Sequence, residues 1–223
     1  MQLYDLSFSP YSARVRIAVR LKDLPVRIVA PPHALPSDDF KAKFPLGKIP
    51  VLLLDNGVNL PESWVILEYL EDCHDQPPLR PADPLGKAQM RLLGRFADLY
   101  LGPALFPLFG ELRQPSGDAA KVSAALTQTR AELVKLERLL AELPPFHERA
   151  LHLGDIGLLT TMFYVLAVTP WFGLADALEP QPGVRQWWDA VRQVAAVHQT
   201  LDEMDQGFRA FLRQIGKLPE GKS

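Results

Sequence analysis

The chain is poor in sulfur. Its 223 residues include one cysteine, Cys73, which excludes an internal disulfide framework and a cysteine-based zinc site and fits a reducing, cytoplasmic compartment. Charge of one sign is also missing. The 24 Lys and Arg against 26 Asp and Glu leave a formal net charge of −2, so there is no basic footprint for nucleic acid. The first twenty residues carry Asp5, Arg14, Arg16 and Arg20, and no signal-peptide apolar region fits among them. Residues 156–175 hold no charge. Pro170 and Gly173 break that run and leave about fourteen helical positions, short of the roughly 20 that cross a bilayer, so it reads as a buried core helix rather than a membrane span. The five histidines, His33, His74, His147, His152 and His198, show no metal-ligand spacing, and no metal is assigned.

What is present suffices for a large core, with 48% of residues hydrophobic, and divides in two. The first part alternates strand and helix signals. Leu3–Leu6 reads as a strand, and residues 13–22 place Val15, Ala18 and Val19 on one helical face. Residues 26–30 are β-branched and apolar, a second strand. Residues 51–54 and 58–60 flank Asn56-Gly57 as a hairpin. A helix over 62–74 follows, with Ile66, Tyr69, Leu70 and Cys73 on its apolar stripe; Cys73 is thereby read as a buried, inert thiol. The order β-α-β-(α)-β-β-α is a thioredoxin-like arrangement.

Four prolines between Pro77 and Pro84 mark a stiff linker. Beyond it the stripes Leu133, Leu136, Leu140, Leu143, then Val184, Trp187, Trp188, Val191, then Phe208, Phe211, Leu212, Ile215 predict about five helices and no strand. The expected organisation is a thioredoxin-like α/β domain over 1–76, a linker over 77–85 and an all-α domain over 86–223.

Three local signals carry chemistry. Ser9-Pro10-Tyr11-Ser12 reads as a C-P-Y-C dithiol motif with both cysteines replaced by serine. Serine cannot form a disulfide, but at a helix start its hydroxyl can donate to a bound thiolate. A free thiol of pKa about 8.5 is only about 3% ionised at pH 7. A hydrogen bond to a charged group, worth roughly 1.5–3 kcal/mol, lowers that pKa by about one to two units. The plain alternative is that Ser9 only caps the helix. The second signal is Phe44 to Val51, FPLGKIPV. A cis Ile49–Pro50 bond would turn Ile49's amide and carbonyl outward to pair with a peptide as an added strand; the alternative is an ordinary trans proline at a strand edge. The third is Leu60-Pro61-Glu62-Ser63, where Ser63 and nearby N–H groups could take a carboxylate and Glu62 an ammonium, or could serve as capping alone.

In order and spacing, SFSPYSARVRIAV (7–19), FPLGKIPV (44–51) and LPESWVILEYLED (60–72) resemble the N-terminal domain of the cytosolic glutathione transferases, serine-type and similar to the tau, phi and zeta classes. The helical half fits that family in architecture. The resemblance implies a detoxification enzyme in which Ser9 activates the thiol of glutathione, the co-substrate. It implies that cis-Pro50 and Ile49 hold its cysteinyl backbone, that Glu62 and Ser63 hold its γ-glutamyl end, and that Lys48 approaches its glycyl end. A homodimer and an apolar electrophile are implied too, with Tyr11 and Phe106 as candidate pocket residues. Ser9 departs from the cysteine-type, omega-like relatives, and Ser9-Pro10-Tyr11 departs from the Ser-Ser-Cys of zeta-type isomerases. A glutathione-dependent isomerase, β-etherase-like lyase or peroxidase stays open, as does a non-catalytic interaction module. At His152-Leu153-Gly154-Asp155 the family's Ser/Thr-x-x-Asp capping box keeps its Asp and lacks its Ser/Thr. Asp155 is therefore read as structural. Arg14 and Arg16 are expected in a salt bridge or a domain contact.

Overall fold

The structure is a computed structural model that describes residues 1–35 and 37–219. The chain divides into two units: Met1–Leu79 with the stretch from Ala196 onward, and Arg80–Ala195. The last stretch groups with the first unit although it lies, in sequence, within the segment expected to form the helical domain.

In the first unit, β1 (Gln2–Tyr4) leads to α1 (Pro10–Leu21), then β2 (Arg27–Val29), α2 (Asp38–Lys43), β3 (Val51–Leu53), β4 (Asn59–Pro61) and α3 (Ser63–Cys73). The sheet order is β2-β1-β3-β4, with β1/β2 parallel and the other pairs antiparallel. Alternation along the strands explains the two cores, because successive side chains leave a strand on opposite faces. Leu3 and Leu52 meet Val15, Val19, Ile66 and Leu70 from α1 and α3. Tyr4 and Val51 point the other way, onto Phe40 and Phe44 of the α2 segment.

Buried charge ties this unit together. Lys22 pairs with Glu71 at 2.7 Å and donates to the carbonyls of His74 and Pro77, while Glu71 accepts from the Leu79 amide. The start of the expected linker is thus anchored, with Leu79 buried. Arg16 pairs with Asp5 at 2.8 Å, one of the two outcomes expected for it. Burial raises the Asp5 carboxyl above its ordinary range and Arg16 opposes the rise. Cys73 corrects the sequence reading: it is exposed. The buried face of α3 runs through Ser63, Ile66, Leu67, Leu70 and Glu71, because the Lys22 pair pulls Glu71 inward and turns Cys73 to solvent.

The remaining helices are α4 (Pro84–Phe96), continued by a π-helical turn at Ala97–Leu101, α5 (Gly102–Arg113), α6 (Ala119–Ala141), α7 (Leu153–Val168), α8 (Pro182–Val191) and α9 (Ala195–Gln214). That makes six among the described residues, one more than expected. α4 begins inside the expected linker, with Asp83 as N-cap and Pro84 in the first turn, both helix-start residues. α7 and the 3₁₀ turn after it, to Phe172, are long and apolar enough to cross a bilayer, but most of that stretch is buried inside the protein, in line with the core-helix reading. Its N-terminus keeps a capping box with an unexpected member. His152 Nδ1 accepts the Asp155 amide, and the Asp155 carboxylate accepts the His152 amide. The imidazole stands where a hydroxyl was missing.

Candidate functional site

Strand register brings the three signals to one end of the sheet. Tyr4 of β1 lies opposite Val51 of β3, and Val51 lies opposite Pro61 of β4. Those residues form one row. Beyond it lie the turn from β1 to Ser9, Pro50 before β3, and Glu62-Ser63 after β4. Neighbouring strands are about 4.8 Å apart, so Ser9, Pro50 and Glu62-Ser63, far apart in sequence, share one short rim.

Each segment has a distinct local geometry. Ser9 is the N-cap of α1, half-buried and extended (φ −72°, ψ 121°). Its Oγ accepts the Ser12 amide at 3.3 Å. The capping role is therefore real, but it is weak by length and uses one lone pair, which leaves the O–H proton to donate elsewhere. Ile49–Pro50 is cis. Among the described residues, the Ile49 amide and carbonyl pair with no other backbone group. Gly47 holds the left-handed conformation (φ 62°) that the turn before Lys48 requires; Lys48 itself is exposed.

Glu62 also has positive φ, 70°, and caps α3 without a side-chain bond. A non-glycine residue held there costs of order 1–3 kcal/mol, and such residues concentrate at functional sites. Ser63 follows as the buried first residue of α3. The Arg14 guanidinium approaches its Oγ at 3.5 Å and lies 4.9 Å from the centre of the Tyr11 ring. The rim thus offers a hydroxyl at one helix start, a peptide edge without a backbone partner among the described residues, and a second helix start with a hydroxyl and a carboxylate beside it. Sequence reasoning did not place Arg14 at this rim; the available signal was an arginine five residues after Ser9, beside Val15 on the first turns of α1. Phe106 lies in the other unit, on α5, half-exposed. Among the described residues no cluster of His, Cys, Asp and Glu could hold a metal ion.

The glutathione S-transferase N-terminal domain family matches residues 3–78, the stretch that holds this rim. The chain is 24% identical over 221 residues to a glutathione S-transferase U3 of Arabidopsis thaliana, covering 94% of this chain and 92% of that one. A solved glutathione S-transferase of Methylobacillus flagellatus with glutathione bound superposes with TM-score 0.73 at 27% identity, covering 89% of this chain and 98% of that one. Residues 3–78 thus belong to the glutathione S-transferase N-terminal domain family, and over most of its length the chain is similar to glutathione transferases. A bacterial zeta-class glutathione transferase, maleyl pyruvate isomerase, matches over 100% of both chains with TM-score 0.75 and 25% identity. The expected fold, a thioredoxin-like domain followed by helices, is that of the family. The matched stretch 3–78 contains all three segments of the rim.

Proposed function

We propose that this glutathione transferase binds glutathione along the sheet rim and holds its sulfur as thiolate with the Ser9 hydroxyl. Ile49 pairs with the cysteinyl backbone in the manner of an added strand. Ser63 and the open amides of α3 take the γ-glutamyl carboxylate, and Glu62 takes its ammonium. Lys48 reaches toward the glycyl carboxylate. The thiol proton leaves to solvent. The sulfur lone pair then forms a C–S bond to an apolar electrophile, whose leaving group departs with its bonding pair, or whose displaced electron pair takes a proton from water. Tyr11 contributes to the apolar surface that receives the electrophile. Electrostatic stabilisation of sulfur and proximity supply the rate.

The observation that supports this reading is the register row Tyr4–Val51–Pro61, which gathers three separate segments at one end of the sheet. The decisive experiment pairs glutathione affinity chromatography with product analysis in an electrophile panel. Retention and a glutathione adduct are expected. Failure to bind would favour a non-catalytic module.

The full-length likeness to maleyl pyruvate isomerase supports a second reading, in which the sulfur adds to an unsaturated acid and leaves again after isomerisation. An isomerised product without adduct would select it.

We also propose a cytoplasmic homodimer. Leu85, Leu92 and Leu99 recur at seven-residue spacing with exposed side chains, an apolar stripe that a second copy would cover. A monomer in sedimentation equilibrium would remove this.

A further inference from the structure

α9 comes from the far end of the chain, yet it packs on the turn that presents Ser9. One face of it does so through residues 200, 203, 207 and 211, which recur at helical spacing. Arg20 donates to Thr200 Oγ1 and to Glu203. Glu203 also faces Arg16, with Nε 3.6 Å from the carboxylate. The same Arg16 donates Nη1 to Asp5 and Nη2 to the Ser7 carbonyl at 2.6 Å. The Phe8 ring stacks on Phe211, centres 5.5 Å apart and planes at 21°, and Phe211 stacks in turn on Phe208.

Between these contacts lies Gly207. A Cβ placed on it would collide with Ser7 Oγ and come within 3.1 Å of the Phe8 amide nitrogen and 3.2 Å of Phe8 Cβ. Glycine is disfavoured inside a helix relative to alanine, so its presence here goes with close backbone approach. Ser7 and Phe8 are therefore held from three sides: carbonyl by Arg16, ring by Phe211, backbone by the gap at Gly207. Ser9 is the next residue.

We propose that α9 is a positioning element for the Ser9 hydroxyl, acting through Gly207, Phe211 and the Glu203–Arg16–Ser7 link. The inference rests on the reading of Ser9 given above. Catalytic groups must be held within about 0.5 Å of their productive geometry, and a displacement of 1 Å can cost on the order of a hundredfold in rate. A methyl group at position 207 has to displace the Ser7 hydroxyl, and the Phe8 backbone or α9 must give by a few tenths of an ångström, close to that tolerance. The peptide-holding residues Ile49, Glu62 and Ser63 lie on other segments and do not share these contacts.

The test is a cycle on the full-length enzyme with Gly207→Ala, Ser9→Ala and the double variant. The readouts are glutathione affinity and the pH dependence of kcat/KM. Gly207→Ala is expected to lower kcat/KM at neutral pH severalfold, up to about tenfold, to move the activating limb to higher pH and to leave glutathione affinity unchanged. Its effect should vanish in the Ser9→Ala background. Adding Ser7→Ala to Gly207→Ala relieves the collision with Oγ and should recover part of the activity. The charged groups around the turn are Asp5, Arg16, Arg20 and Glu203, and the Ser9→Ala background controls for their titration. Equal losses in both backgrounds, or a loss of stability with an unmoved pH limb, overturn the proposal. An unaffected Ser9→Ala enzyme overturns instead the reading of Ser9 beneath it. Should Gly207→Ala fail to fold, Phe211→Leu enters the same cycle with the same criteria.

Discussion

Asp155→Ala is the substitution whose cost the structure defines most closely. The carboxylate is fully buried and accepts four hydrogen bonds. Oδ1 takes Arg149 Nη2 at 2.8 Å and Trp187 Nε1 at 2.9 Å. Oδ2 takes Arg149 Nη1 at 2.6 Å and the His152 amide at 3.1 Å. These match the four acceptor sites of an ionised carboxylate. Burial pushes its pKa up, but the Arg149 bonds, the His152 and Arg149 charges and the Trp187 bond together hold it below the ordinary value. Truncation leaves a guanidinium without its partner and two donors unpaired. Breaking a buried pair costs about 3–5 kcal/mol, and slight exposure of Arg149 (13% of its side chain) favours the lower end. That is a large share of the ~5–15 kcal/mol that holds a typical protein folded.

Urea unfolding followed by tryptophan emission is the assay. Trp171, Trp187 and Trp188, three of the four tryptophans, lie in the Arg80–Ala195 unit. Because the folded-state pKa is lowered, the stabilisation is complete above the ordinary value of 3.8 and is lost as pH falls through the lowered one. The variant should lack that acid limb. A loss below about 1 kcal/mol, within the range of an ordinary hydrogen bond, would refute the reasoning.

His152→Ser restores the usual capping hydroxyl. Burial lowers the His152 pKa, so wild-type stability falls as pH drops from the ordinary 6.5 toward the lowered value; the variant should lose that slope in thermal melts across pH 5–8, and an unchanged slope would assign it elsewhere. Ser63→Ala should raise the glutathione KM roughly tenfold to a hundredfold, the worth of one hydrogen bond to a charged group, with kcat little changed; an unchanged KM would remove Ser63 from the binding site. Cys73 should react with a thiol reagent in the native protein because it is exposed, and its alkylation should leave conjugation intact; protection from the reagent would contradict its placement.

Much of the first unit was legible because its signals are local. Strand alternation, the Asn56-Gly57 turn and the stripe on α1 each depend on neighbours in sequence, and the element order followed from them. The first three strands proved shorter than expected and the fourth shifted by one residue, three residues each, because register with short partners ends the ladder, and no local residue announces that. The three site segments were found as motifs, but their convergence depends on the row Tyr4–Val51–Pro61. Buried charge was not legible. Lys22 and Glu71 find each other across 49 residues, and their pairing is what turned Cys73 outward. His152 as a cap was hidden by the preference for hydroxyl residues at that position. The return of α9 to the first unit was hidden because helix periodicity gives the apolar face without saying what it meets.

The central claim is tested most directly by titrating the thiol of enzyme-bound glutathione through its ultraviolet thiolate absorbance, in wild-type protein and in Ser9→Ala. With Ser9 present, the bound thiol should ionise about one to two units below its free value of about 8.5, and most of that shift should disappear in the variant. The same apparent pKa in both proteins, with glutathione bound equally in each, would contradict the account.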